Sequence, residues 1–253
     1  MKLLVRWGLT LGLAGSVMFA GILGINNLQA FALPKEQVIK ILRAVPVFTL
    51  TNPKGEFLVS SRNNQSKTIS FVGFFISKDD AQKFLDNRIK KNNPKLASTL
   101  KISSVSLAEY NQIVLEAKQK RDSVIYTLVP TQQQIDAAKN ILNTNGKKVE
   151  QFNGVPLFIP KLLKKGYLTI PIPQEKERFV PIFFEKEQAV VILEEFKKAV
   201  PKEAANTEIE VTELSSVIDT LTNSKDLTMS KFLLYPSRES IEFLNSLPKQ
   251  PKK

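Results

Sequence analysis

The sequence predicts a mixed α+β protein built from two homologous halves, each a small sheet with flanking helices. Three observations predict it. "VPVFTLTNPKGEFLV" from Val45 is matched by "VPLFIPKLLKKGYLT" from Val155, each running from Val-Pro-x-Phe into a lysine- and glycine-containing turn. Further matches follow in the same order: Phe74-Phe75 with Phe183-Phe184, "ISSVSLAEYNQIV" from Ile102 with "IEVTELSSVIDTL" from Ile209, and "YTLVPTQQQIDAAKNIL" from Tyr126 with "FLLYPSRESIEFLNSLP" from Phe232. The last pair aligns Pro130 with Pro236, Thr131 with Ser237 and Ile135 with Ile241, and a slowly drifting offset is what small loop deletions produce. Finally, strand-like and helix-like periods alternate while some strands also follow one another directly, the pattern of an α+β or mixed α/β domain. Two such halves pack most simply about a pseudo-twofold axis.

In the first half, Lys35 to Ala44 reads as a short helix, with Val38, Ile41 and Leu42 at helical spacing. Val45 to Leu50 is a strand that tolerates Pro46 only near its start, and Asn52-Pro53-Lys54-Gly55 is a turn. "TISFVGFF" is nearly continuously apolar, as expected of a strand covered on both faces. A helix begins at Ser77, with Asp80 at capping-box spacing and Ala81, Phe84, Leu85 and Ile89 along one side. A strand near Leu100–Val105, a helix near Ala108–Lys120, a strand at Val124–Val129 and a helix at Thr131–Leu142 follow. Thr131 and Gln134 repeat the capping-box spacing. The second half keeps this plan. Pro181 inside the counterpart of the central strand suggests an edge or a bulge, and Pro160, Pro171 and Pro173 suggest an irregular first hairpin.

The boundary between the halves falls in the polar, Asn-Gly-containing stretch Asn143–Gly154, giving repeats over residues 33–145 and 146–247. "PKQPKK" at 248–253 reads as a disordered basic tail. Residues 1–32 read as a cleaved export signal: Lys2 and Arg6, an apolar run from Gly8 to Ile25, a polar break at Asn26-Asn27, then Ala30-Phe31-Ala32. Cleavage after Ala30 is the alternative site, and an uncleaved anchor the alternative function, since ~20 apolar residues span a bilayer.

The chain has 253 residues, with 43% hydrophobic and 24% charged, the balance of a globular protein. It has no histidine and no cysteine. That removes the commonest general base, the thiol nucleophile and the usual transition-metal ligands, so neither an enzyme nor a cofactor is expected. The ten glycines form no phosphate loop. Asp79-Asp80 and Glu194-Glu195 lie on amphipathic helices as solvated pairs, and nothing marks Ser60-Ser61 or Ser215-Ser216 as nucleophiles. Basic character dominates, with 36 Lys+Arg against 24 Asp+Glu. In an exported protein this favours anionic lipid or acidic protein over nucleic acid. "NRIKKNNPK", "PKLLKKGY" and "KQKRD" are the densest basic stretches, read either as solvated loops or as steering surfaces for anionic headgroups.

Phenylalanine supplies 16 residues against one Trp and four Tyr. Phe48, Phe71, Phe74, Phe75, Phe158, Phe179, Phe183 and Phe184 gather around the first strands of each repeat. Either they all pack inside, or some line an exposed groove able to receive extended chains. Phe48, Phe74, Phe75, Phe158, Phe183 and Phe184 are the candidates for such contact.

"AVPVFTLTNPKGEFLV", "FVGFFISKDDAQKFL", the second "VPLF", "VPIFFEKEQAVVILEEF" and "LLYPSRESIEFL" together resemble the Tic twenty-two family, soluble subunits of the chloroplast inner-envelope translocon with cyanobacterial counterparts. The resemblance runs from about Leu33 to Leu247. It implies a duplicated α+β fold with exposed hydrophobic pockets and a chaperone-like, non-enzymatic role in protein transport. Implied partners are precursor or outer-membrane polypeptides and the periplasmic domains of the β-barrel insertase. The bacterial-type signal implies a cyanobacterial-like, periplasmic member, with the thylakoid lumen or an organelle intermembrane space as alternatives. No short family motif assigns individual client-binding residues.

Overall fold

The computed structural model describes residues 34–64, 67–172, 177–223 and 230–248. The export signal, Pro173 and the tail beyond Pro248 lie outside the described residues.

Helix α1 (Lys35–Arg43) leads into β1 (Pro46–Thr51), β2 (Ser60–Asn64) and β3 (Lys67–Phe75). Helix α2 (Lys78–Phe84) continues through a π turn (Leu85–Ile89) into α3 (Lys90–Asn92), and α4 (Pro94–Ala97) follows. The first half ends with β4 (Lys101–Ser106), α5 (Leu107–Lys120), β5 (Val124–Val129) and α6 (Gln132–Thr144). The second runs β6 (Pro156–Leu162), β7 (Gly166–Tyr167), β8 (Ile170–Pro171), β9 (Arg178–Phe183) and α7 (Lys186–Ala199). A 3₁₀ turn (Pro201–Asn206), β10 (Thr207–Glu213), α8 (Leu214–Asn223), β11 (Phe232–Tyr235) and α9 (Arg238–Ser246) complete it.

Both sheets use one topology. In the first, β4 and β3 flank β1 antiparallel and β5 lies parallel to β3; in the second, β10, β6, β9 and β11 repeat that order. Phe48 faces Phe75 across the first sheet and Phe158 faces Phe183 across the second. Each α5-type helix starts the same way, Leu107 donating its N–H to Val45 O and Leu214 to Val155 O. One pairing from the sequence is corrected by this register. Phe75 and Phe183 occupy equivalent places, opposite Val129 and Tyr235, so Phe74-Phe75 corresponds to Ile182-Phe183 rather than to Phe183-Phe184. A slip of one residue exchanges the two faces of a strand. Accordingly Phe74 and Phe184 turn inward between the sheets, whereas Phe75 and Phe183 turn outward.

The inner faces of both sheets share one core. Val45, Val47, Val72 and Phe74 meet Val155, Leu157, Ile182, Phe184 and Leu234, together with Val38 and Leu42 of α1, Leu107 of α5 and Leu214 and Leu221 of α8. On the outer faces, α2 and its π turn cover Phe48, Leu50 and Phe75, while α7 contributes Ala189 to the cluster of Phe158 and Phe183. The terminal helices cross over. Ala138 of α6, a first-half helix, packs on Phe158 and Phe183, and Phe243 of α9 packs on the cluster of Phe48 and Phe75.

Three local expectations are revised. Pro181 sits in an interior strand, with β11 beside it on one edge and β6 and β8 along the other. Phe184 N–H points to Tyr235 O, so by alternation the missing Pro181 N–H faces the gap between the β8 pairing at Phe179 and the β6 pairing at Phe183. No ladder bond is lost there. "TISFVGFF" is covered on both faces only toward its end; Thr68 and Ile69 are exposed. Thr131 makes no side-chain capping bond, and the Gln134 side chain, which would complete a capping box, is committed to the second half. A complete capping box forms instead at Ser106 and Glu109, each side chain bonded to the other's backbone N–H.

Candidate functional site

The six candidate phenylalanines are all inside. Phe48, Phe74 and Phe158 have no exposed surface, and Phe75, Phe183 and Phe184 retain 6% or less. Of the two readings the sequence left open, all packing inside or some lining an exposed groove, burial selects the first and corrects these six as candidates for client contact. In a strand covered on both faces, alternation leaves no side of the strand open, so the aromatic mass builds core.

The apolar surface that does face solvent lies next to them on the first sheet. Phe71 pairs with Ile125 across the parallel β3–β5 ladder, and Ile69 lies two residues along on the same face. Ile125 is 53% exposed and Ile69 37%, while Phe71 is half-buried. Gly73 between Phe71 and Phe75 carries no side chain into the strip. The strip exists because α2 and α9 cluster with Phe48 and Phe75, while α6, which follows β5 in sequence, leaves for the other sheet. In the second half the equivalent face holds Phe179 beside Ile170, with Pro181 beside Leu233, all half-buried or buried.

Sequence reasoning grouped Phe71 and Phe179 with the other aromatics and did not single out Ile69 or Ile125. Strand alternation places Ile125 with Thr127 and Val129, but which helix covers that face is a long-range fact. Pro236 and the following helix gave no hint that Phe243 belongs to the opposite sheet.

The electrostatics of the described residues are structural in kind. The N-termini of α2, α6, α7 and α9 are tied together: Asp79 N–H donates to Glu239 Oε1 at 2.7 Å, Arg238 N–H to Glu185 Oε2 at 3.1 Å, and Lys186 N–H to Gln134 Oε1 at 3.0 Å. Gln133 and Gln134 amides donate to the two oxygens of Glu187 at 3.0 and 2.9 Å. These acceptors meet the positive ends of the helices. Burial works against the charged form of Glu187, yet the Gln134 and Gln133 bonds outweigh it and hold its carboxyl below the usual range. Lys161 Nζ lies 2.8 Å from both Glu208 and Glu210, whose hydrogen bonds push its pKa up, so it is no candidate base. Asp80 pairs with Lys83 and Glu194 with Lys197, as solvated helix carboxylates do.

Arg88, Lys90, Lys91, Lys95 and Lys101 form a different surface. They follow one another from the π turn to β4 with no acidic residue between Asp86 and Glu109, and none makes an ion pair among the described residues. The exposed Leu96 stands among them.

A model of the Tic22-like family matches residues 16–246. Curated relatives include the protein TIC 22-like, chloroplastic, of Arabidopsis thaliana, 26% identical over 147 residues, or 58% of this chain and 42% of that protein. Protein TIC 22, chloroplastic, of Pisum sativum is 25% identical over 158 residues, or 62% and 55% of the two chains. The chain spans about half the length of these curated relatives. Among solved structures, Anabaena Tic22, a protein-transport protein, matches with a TM-score of 0.76 and 29% identity over 87% of this chain and 100% of that one. Tic22 from Plasmodium falciparum shares the fold, with a TM-score of 0.62 and 23% identity over 82% and 96%.

Proposed function

We propose that this chain, which belongs to the Tic22-like family, is an exported, non-enzymatic transport factor that binds precursor polypeptides and works with the β-barrel insertase in outer-membrane biogenesis. The observation that carries the proposal is the Ile69–Phe71–Ile125 strip, an apolar surface on a sheet that the protein's own helices leave open. The transport role of the Anabaena relative, whose whole length this chain matches, supports the class. The periplasm is the proposed compartment, with the thylakoid lumen or an organelle intermembrane space as alternatives. Among the described residues no helix is long and apolar enough to cross a membrane.

Replacing Ile69 and Ile125 together by aspartate tests the strip. Each buried apolar side chain is worth ~1.5–3 kcal/mol, so the double variant should bind an unfolded outer-membrane protein about tenfold more weakly or worse. Light scattering of the aggregating client reads this, with circular dichroism showing an unchanged fold. Undiminished protection by the double variant would overturn the assignment of the strip, and a wild-type chain that neither protects nor captures insertase domains would sink the function.

A second reading, a membrane-surface protein acting through its basic charge, is favoured by the run from Arg88 to Lys101, whose basic side chains make no ion pair among the described residues. It requires vesicle binding that grows with anionic lipid and collapses with salt; binding indifferent to both removes it.

A further inference from the structure

We propose that the apolar bed beneath α9 is itself a binding site for a short amphipathic helical segment carrying an acidic residue and, four positions later, an aromatic one, and that α9 is its displaceable resident. The class of ligand rests on the polypeptide-binding function above; the bed and its resident do not.

The bed consists of Phe48, Leu50 and Phe75 with Leu58, Phe84 and Val129 around them, all from the first half. What fills it comes from the far end of the chain. The Phe243 ring meets Phe48 edge-to-face at 5.1 Å with an interplanar angle of 81°, and Lys78 Nζ stands 5.4 Å from its centroid. One turn earlier on the same side of α9, Glu239 accepts the Asp79 N–H. An acid and an aromatic at i and i+4 are thus read by a backbone donor, a cation and an aromatic floor. All three readers belong to the first half, in the bed or at the start of α2 beside it, so a segment from another chain with the same two side chains would meet the same groups.

α9 is fixed at its start, where Ser240 is buried and Arg238 N–H reaches Glu185, but it enters the bed through one apolar side chain. Phe243 is the α9 side chain that joins the bed's apolar cluster, and it stays half-buried, while Leu244 and Leu247 beyond it are 38% and 44% exposed. Its counterpart α6 sinks Ala137, Ala138 and Ile141 into the second sheet and locks Gln134 to both Glu187 and Lys186. The Gln188 amide donates to Pro236 O at the entry to α9, yet its Oε1 is buried without a hydrogen-bond partner among the described residues. Lifting α9 would uncover Phe48 and Phe75, two of the aromatics that the folded chain conceals.

A labelled peptide copying residues 236–247, "PSRESIEFLNSL", is the probe. It is titrated into the full wild-type chain, into Phe243→Ala, and into an Asp79→Cys, Glu239→Cys double variant joined by a short bifunctional thiol cross-linker. The chain has no cysteine of its own, so the link is unique, and the double variant capped with a monofunctional reagent is the control. A site closed most of the time binds more weakly by the fraction open, so Phe243→Ala should bind about tenfold more tightly than wild type. The cross-linked protein should bind none, the capped control at least as well as wild type, and a peptide with alanine for its phenylalanine should bind nothing. Equal binding by the cross-linked and capped proteins would overturn the proposal, and so would equal binding by wild type and a Phe243→Ala protein whose sheet amides stay protected from exchange. Should Phe243→Ala fail that protection check, the cross-link comparison decides alone. A chain that holds the peptide but fails to protect an unfolded outer-membrane protein would retire the function and keep the bed.

Discussion

Glu185 stands at the N-terminus of α7 and accepts the backbone N–H of Arg238, at the crowded meeting of helix ends. Burial pushes its pKa up, and the neighbouring Glu187 and Glu239 add to the rise, while the Arg238 N–H and the Arg238 charge oppose it. A carboxyl raised in the folded state favours folding at low pH and loses that contribution as pH climbs through its folded pKa. At neutral pH, then, Glu185 carries a penalty for its charge. Glu185→Gln, which keeps an acceptor for Arg238, should raise the urea midpoint at pH 7, and the gain should vanish as pH falls below the ordinary carboxylate range. Equal midpoints at both ends of the range would contradict the assignment. Little of this was legible in the sequence, because Glu185 and Arg238 are 53 positions apart. The aromatic residues were legible as core formers, and not as to side: Phe74 and Phe75 are adjacent, yet one faces the inter-sheet core and the other the bed under α9.

Helix starts show how far a local rule reaches. Ser106 and Glu109 form a full capping box, so α5 begins with its first donors satisfied, and those bonds hold the Glu109 carboxyl below its usual pKa. Ser106→Ala should cost about 1 kcal/mol in chemical denaturation; no measurable loss would mean the box contributes little. Thr131 and Gln134 have the same spacing, but α7 offers Gln134 an N–H and a carboxylate, and the box does not form. The competing partner is in the other half, beyond any local window. The π turn at Leu85–Ile89 was equally hidden, since an extra residue in one helical turn leaves the apolar spacing of Ala81, Phe84, Leu85 and Ile89 readable as ordinary helix.

At the scale of the molecule, the halves are separate in sequence and joined in space. They share the inter-sheet core and exchange terminal helices. A fragment of residues 33–145 would expose the inner faces of β1 and β3 and strand α6 without the sheet it covers. It should therefore lack stable tertiary structure, with weak far-UV circular dichroism and no protected amides, whereas the full chain should unfold in one transition by every probe. A fragment that folds by itself, or two separate transitions, would show the core to be divisible.

Sequence alone determined the α+β class and the main helices and strands of the first half, because hydrophobic periods are properties of neighbouring residues, although β2 escaped it. It also pointed to the family, through blocks such as "FVGFFISKDDAQKFL" kept in order along the chain. Only the tertiary structure decided which face of each strand is covered, and by which half. The Phe-rich strands are buried because helices from both ends of the chain converge on them, and Ile69 and Ile125 are open because α6 left their sheet for the other. Coverage of a face is settled by contacts between segments distant in sequence, as when Phe243 packs on Phe48, and no local pattern carries that information.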